Sequence, residues 1–216
     1  RLRSPLLAYA IGTLLGAVFL GLLPRALELG GIREMLMVTL AGFMGFFLVE
    51  KMLRVPHVHS HAGIRSVRRP TGWIILWGDA LHNFVDGVII ATAFLVSVPL
   101  GIMTALAVVA HEIPQELGDF VILLEAGWDR WRAFWMNALS ALATVPGALL
   151  AYWASGVVEA YVPYLLAIAA ASFLYIAATD LVPLLHHDRG GKPGLIQSGF
   201  MLLGIFTLWG LHHLLG

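Results

Sequence analysis

Cysteine is absent from the chain, and charged residues are scarce. Without cysteine the chain can form neither a disulfide nor a thiolate metal site. Asp, Glu, Lys and Arg make up 12% of the 216 residues, whereas a soluble domain carries about 25%. The net charge is zero, so the composition has no bulk signature of nucleic-acid binding. Hydrophobic residues make up 59% of the chain, and this balance predicts a membrane protein.

Seven apolar stretches are long enough to cross a hydrocarbon layer of roughly 30 Å, which takes about 20 helical residues. The alternation of a membrane β-barrel is missing, and the short connections leave no room for a soluble domain. We therefore predict an all-α fold, a polytopic transmembrane helical bundle that forms a single domain over residues 1–216. The predicted spans are about 5–27, 32–53, 72–97, 99–124, 132–154, 162–184 and 195–214.

Basic residues are unevenly divided between the two predicted membrane faces. Arg25 and Arg33 lie at one face. The other face carries all the remaining Lys and Arg residues of the 13 in the chain: Arg1, Arg3, Lys51, Arg54, Arg65, Arg68, Arg69, Arg130, Arg132, Arg189 and Lys192. By the positive-inside rule the crowded face is cytoplasmic. We expect an integral protein of the plasma (inner) membrane, with the N-terminus of this chain in the cytoplasm and the C-terminus outside.

Two polar runs interrupt the third and fourth spans. Each places two side chains four residues apart on one helix face with a third beside them: His82, Asn83 and Asp86 in "HNFVDG", and His111, Glu112 and Gln115 in "HEIPQE". Both runs lie roughly 16 Å from a membrane face at a rise of 1.5 Å per residue. Ionised groups at that depth cost several kcal/mol. Matched motifs on antiparallel helices are also what an inverted repeat leaves at a transporter's substrate site.

These six side chains predict a site for a divalent metal ion. Imidazole, carboxylate and amide ligands suit Zn²⁺, and after it Fe²⁺, Mn²⁺ or Cd²⁺, whereas the lack of thiolates argues against Cu(I). One divalent cation would neutralise Asp86 and Glu112 together. The alternative for any single residue is an interhelical hydrogen bond. The matched spacing of all six favours the metal site.

The two motifs resemble the paired fourth and fifth helices of the ZIP (Zrt/Irt-like) family of divalent metal transporters, in its prokaryotic type. "GFFLVEKMLR", "NALSAL" and "SFLYIAATDLVP" also look like the family's helices. The resemblance implies a transporter with no catalytic cofactor whose partners are the metal ion and the lipid bilayer, and it leaves a homodimer open. It also implies two adjoining sites, one of His82, Asp86, His111 and Gln115, and one of Asn83, Asp86, Glu112 and Gln115.

The chain departs from the family pattern at several places. Family members usually have eight helices, so the resemblance implies that the family's first helix is missing from this chain. Gln115 stands where relatives often have His or Glu, and Thr144 stands where some relatives supply a carboxylate. Both departures favour one tightly bound metal over two.

Further polar residues have two interpretations each. The His/Arg-rich cytoplasmic loop at 55–70 carries His57, His59 and His61, which either collect metal near the exit or are incidental in a basic connector. Two carboxylates near the motifs, Asp79 and Asp119, either line the inner half of a metal path or support a ligating histidine. Glu116 is a third acidic residue beside them.

The function we expect is uptake of metal ions, Zn²⁺ first among them, into the cytoplasm by alternating access at the midplane site. The alternative is an intramembrane zinc-dependent hydrolase, because "HEIPQE" resembles the HExxH motif of zinc proteases. Gln115 replaces the second histidine of that motif, which favours the transporter over the enzyme. A metal-stabilised receptor or scaffold without transport is a third interpretation.

Overall fold

The computed structural model describes residues 3–53, 69–187 and 193–215, which form helices and no strand. The helices are α1 (Arg3–Ala17), α2 (Leu23–Gly30), α3 (Ile32–Leu53), α4 (Arg69–Val96), α5 (Val98–Glu125), α6 (Arg130–Ala141), α7 (Thr144–Trp153), α8 (Ser155–Ile176), α9 (Val182–His187) and α10 (Pro193–Leu215). π-helical segments join α1 to α2 (Val18–Leu22) and α8 to α9 (Ala177–Leu181). His57, His59 and His61 lie outside the described residues.

Seven helical stretches of the described chain are long and apolar enough to span a membrane. They are Ser4–Gly30, Ile32–Val49, Ile75–Val96, Val98–Leu124, Arg130–Trp153, Ala160–Thr179 and Gly194–Leu214. Each coincides with one of the predicted spans. The prediction of a polytopic all-α membrane protein with about seven spans is therefore confirmed.

The fifth span is interrupted, although the sequence predicted one continuous stretch over about residues 132–154. It consists of α6 and α7, separated by a turn at Leu142 and Ala143. Pro146 has no backbone N–H and so cannot donate to the Leu142 carbonyl four residues earlier. The Val145 N–H donates to that carbonyl instead, at 3.1 Å. The helix restarts in a new register as α7.

Both π-helical segments lie just before a proline. The Leu23 N–H donates to the Val18 carbonyl, and the Val182 N–H donates to the Ala177 carbonyl, each five residues earlier. Pro24 and Pro183 follow directly and lack the N–H that a regular α-helix would use. The wider turn absorbs this loss, so both spans continue past their prolines.

The core lies around α1, α5 and α8, whereas α3 and α10 pack at the periphery with mostly exposed apolar side chains. The helix pair α4 and α7 is in close backbone contact. A Cβ at Gly147 would collide with the carbonyl oxygen of Phe84, and one at Gly87 with that of Thr144. Small residues allow such approach between membrane helices. Because Asp86 precedes Gly87, this contact fixes α4 at the level of the polar motif.

Gly147→Ala should weaken the packing of α7 on α4, because the added methyl group meets rigid backbone. We expect a loss of about 1–3 kcal/mol in stability, the usual cost of overpacking, measured as a lower melting temperature in detergent. Gly78→Ala on α4 is the matched control, since a Cβ at Gly78 would meet no atom of another helix within 4 Å in the described part of the chain. Equal melting temperatures for the two variants would contradict the close contact.

Candidate metal centre

The connection between α4 and α5 aligns the two polar motifs. The helices are separated only by Ser97, whose Oγ accepts a hydrogen bond from the Leu100 N–H at 3.3 Å and caps α5. The chain therefore reverses sharply, and residues at similar distances before and after Ser97 become neighbours. His82 and His111 lie at nearly equal separations from this turn, so their side chains meet between the helices.

Four ionisable side chains converge between α4 and α5. The Nε2 atoms of His82 and His111 are 3.4 Å apart. Glu112 Oε1 lies 3.3 Å from each of them. Asp86 Oδ2 lies 3.2 Å from His111 Nε2 and 3.7 Å from His82 Nε2. We call His82, Asp86, His111 and Glu112 the histidine group; one ligand atom from each lies within 4.8 Å of all the others.

These separations match the edges of a zinc coordination tetrahedron. Zinc bonds nitrogen or oxygen at about 2.0–2.2 Å, and a tetrahedron of that radius has edges of about 3.3–3.6 Å. Five separations within the histidine group lie between 3.2 and 3.7 Å. Five of the six donor separations are therefore close to those of a zinc site, and a ligand atom of Asp86 lies within 4.8 Å of one of Glu112.

The imidazole of His111 is oriented by its own helix. Its Nδ1 lies 3.0 Å from the Ala107 carbonyl oxygen, which can only accept, so Nδ1 carries the proton. Nε2 faces Asp86 and Glu112 and is the nitrogen that can bind a metal ion. The Phe173 ring packs edge to face against His111 at 5.6 Å. A hydrogen bond on the distal nitrogen is the usual device that fixes the tautomer of a metal-binding histidine.

The carboxylates of the histidine group are buried without hydrogen-bond donors. Asp86 and His111 are fully buried, and no described residue donates a hydrogen bond to either oxygen of Asp86 or of Glu112. The side chains of His82 and Glu112 keep 23% and 13% of their surface exposed, so the group is reached past these two. Buried carboxylates are expensive unless they are paired or coordinate a metal.

Asn83 and Gln115 occupy different positions from these four. The Asn83 amide donates to the backbone carbonyl and to Oδ1 of Asp79, at 3.2 and 3.1 Å, and its own Oδ1 accepts from the Thr144 hydroxyl at 3.2 Å. Gln115 neighbours Asp79 as well. Glu112 lies beside His82, Asp86 and His111, and the ligand role that the family resemblance implies for Gln115 stays a prediction.

A second set of carboxylates adjoins the histidine group. Asp79, Glu112 and Glu116 also bring their oxygens within 4.8 Å of one another, and we call them the carboxylate group. Asn137 on α6 donates to the backbone carbonyl and a side-chain oxygen of Glu116. Asn137 was not among the predicted site residues, although "NALSAL" places a polar side chain in an apolar span.

The backbone of α5 accepts the His111 ring proton, so neither Asp79 nor Asp119 supports that ring.

A family model described as ZIP Zinc transporter matches residues 56–212, which include both motifs. The chain belongs to the ZIP zinc transporter family. Zinc transporter ZIP13 of Mus musculus is 35% identical over 96% of this chain and 69% of its own length. Zinc transporter YKE4 of Saccharomyces cerevisiae is 31% identical over 95% and 69%. Zinc transporter ZIP6 of Homo sapiens is 35% identical over 68% of this chain and 20% of its own length.

The ZIP relatives agree with a transporter rather than an enzyme. Each of these three is named a zinc transporter. The chain spans about two thirds of the ZIP13 and YKE4 relatives and about a fifth of ZIP6. The prokaryotic type of the resemblance stays a prediction.

His111→Ala should weaken zinc binding by well over tenfold. The change removes one of four donor atoms and leaves Asp86 without its imidazole neighbour, and loss of even a residue that only supports a ligand costs about 10–100-fold. Zinc affinity of the purified protein in detergent, measured by competition with a fluorescent chelator, checks this. His186→Ala is the control, since His186 lies outside both groups. An unchanged affinity in His111→Ala would contradict the site.

Proposed function

We propose that this chain carries Zn²⁺ across the membrane toward the cytoplasm through a metal site between α4 and α5. His82, Asp86, His111 and Glu112 supply the donor atoms, and Asn83 and Gln115 adjoin them. The observation that carries the proposal is the convergence of four donor atoms at separations close to those of a zinc site, among them buried carboxylates that no described residue satisfies with a hydrogen bond. Imidazole donors favour Zn²⁺, while Fe²⁺, Mn²⁺ and Cd²⁺ fit the same ligand set.

The surroundings of the histidine group support release on the side of the Arg69 end of α4. Toward that end the helices carry polar side chains: Asp79, Gln115, Glu116 and Asp119. Toward the Ser97 turn the buried polar side chains are the hydroxyls of Thr92 and Thr104, and no charged side chain is buried there among the described residues. The other buried side chains are apolar: Ile89, Ala93, Leu100, Met103 and Ala107. The polar side chains toward the Arg69 end stabilise a hydrated ion, and the apolar side chains toward Ser97 disfavour one. The positive-inside rule assigns the polar half to the cytoplasm of a plasma or inner membrane, with the N-terminus of this chain inside.

Transport then proceeds by alternating access. The cation sheds water to enter the histidine group from outside, and the four ligands replace the lost hydration. A shift of α4 and α5, together with the helix packed on α4, against the rest of the bundle closes the outer half and opens the inner half. α7 moves with α4, because their backbones touch at Gly87 and Gly147. The sliding surface on the other side is the packing of α5 on α1.

Asp86→Ala should reduce zinc flux at least about tenfold, because one ligand and one compensating charge are lost. The measurement is uptake of radioactive zinc into proteoliposomes that contain the full-length protein. Glu28→Gln serves as the control, since Glu28 is exposed and pairs only with Arg25 in the described part of the chain.

Two results would contradict the proposal. Equal flux through wild type and Asp86→Ala would show that the ion does not pass through the histidine group. Flux only from the side that carries the basic loops would reverse the assigned direction. The side is identified by cleaving the protein at its loops in sealed vesicles of known orientation.

A further inference from the structure

We propose that Asp79, Glu112 and Glu116 form a second cation subsite, one helical turn from the histidine group on the proposed cytoplasmic side. It receives the divalent cation after the histidine group and before release. Its role in release rests on the proposed transport function, whereas its ability to bind a cation does not.

Two buried amides hold the carboxylate group in place. Asn83 Nδ2 donates to Asp79 Oδ1 at 3.1 Å, while Oδ2 accepts no hydrogen bond from any described residue. Asn137 Nδ2 donates to Glu116 Oε2, and Oε1 is likewise left without a donor among the residues of known position. In both pairs the amide holds one carboxylate oxygen by a hydrogen bond, and the second carboxylate oxygen stays available to a cation. Supporting amides orient metal-binding carboxylates in this manner.

The burial of these groups distinguishes the subsite from a solvated acidic patch. Asp79 is only 4% exposed, and the two amides are 2% and 6% exposed. The Ser140 hydroxyl lies near Asp79 and within hydrogen-bond distance of the Asn137 backbone carbonyl, at 2.8 Å. Three neighbouring carboxylates repel one another, because their amide and hydroxyl neighbours carry no net charge, and a cation relieves that repulsion.

This subsite is different from the adjoining site that the family resemblance implies. That site would use Asn83 and Gln115, but the Asn83 amide oxygen accepts a hydrogen bond from Thr144, and its nitrogen donates to Asp79. The subsite proposed here uses Asp79 and Glu116, which lie one helical turn closer to the proposed cytoplasmic side. Both residues lie four positions from a member of the motifs, Asn83 and Glu112, on the same helix faces.

The ligand chemistry of the two groups sets a direction of transfer. The histidine group offers two imidazoles, which suit Zn²⁺, whereas the carboxylate group offers only oxygen, which suits harder ions and binds Zn²⁺ less tightly. Glu112 belongs to both groups, and a shared carboxylate can bridge two metal positions about 3.5–4 Å apart. The cation therefore moves by exchanging ligands around Glu112 without passing through apolar surroundings.

Cadmium binding to the full-length protein in detergent tests the subsite directly. Cadmium NMR separates a nitrogen-containing site from an all-oxygen site, and calorimetry gives the affinity of each. We expect two signals in the wild type at saturating Cd²⁺. Glu116→Gln, which keeps an oxygen acceptor for Asn137, should lose the all-oxygen signal, with its affinity reduced at least about tenfold. The affinity of the histidine group should stay within about threefold, the context scatter of single-site effects.

Asn137→Ala tests the positioning of Glu116. It should weaken the all-oxygen site and leave the histidine group unchanged, because Asn137 contacts only Glu116 among the described carboxylates. Glu28→Gln should keep both signals. Asp79→Asn is a second ligand variant should Glu116→Gln fold poorly, and it should also remove only the all-oxygen signal.

The outcomes separate this subsite from the proposed transport function. A single signal in saturated wild type, or two unchanged signals in both Glu116→Gln and Asp79→Asn, would overturn the subsite whatever the flux. Two signals with selective loss in the variants, but no zinc flux in wild-type proteoliposomes, would keep the subsite and overturn the transport function. Flux reduced about tenfold in Glu116→Gln with the histidine group intact would support both.

Discussion

Carboxylates buried in the interior of a membrane helix bundle are the constraint on which the rest of this structure depends. Asp86 is fully buried and accepts no hydrogen bond within the described chain, and Glu112 beside it also lacks a donor there. Helices in lipid satisfy the hydrogen bonds of their own backbone, but the lipid does not solvate a buried charge. A divalent cation bound between them would supply the missing charge, and the two imidazoles would supply neutral donors that do not add to the repulsion. Ligand binding and relief of desolvation are therefore one event at this site.

The surrounding fold holds the donor atoms at fixed separations. The one-residue turn at Ser97 sets the register of α4 against α5. Gly87 and Gly147 bring the α4 and α7 backbones together directly beside Asp86, and the Thr144 hydroxyl at the start of α7 donates to Asn83. The break in the fifth span is part of this arrangement, because Thr144 becomes the first residue of a new helix. Rigid backbone contacts of this kind preorganise a ligand set that the side chains alone would leave loose.

Several elements were predictable because they depend on local sequence. The seven spans follow from the length of apolar runs, and the shared faces of His82 with Asp86 and of Glu112 with Glu116 follow from the helical period. The break at Leu142 and the two π-helical segments were not predicted, although each lies near a proline. Proline removes one hydrogen bond in every helix interior, but whether the helix breaks, widens or continues depends on what packs against it.

Composition, helical period and motif are enough to identify a helical membrane protein of the ZIP family with two polar motifs on consecutive helices. Those properties come from composition, period and motif, which act within a single helix. Only the tertiary structure decided that Glu112 joins His82, Asp86 and His111, that Asn83 turns to Asp79 and Thr144, and that Asn137 reaches Glu116 from another helix. These choices depend on rotamers and on how closely helices approach, because a small change in helix spacing exchanges one ligand for its neighbour.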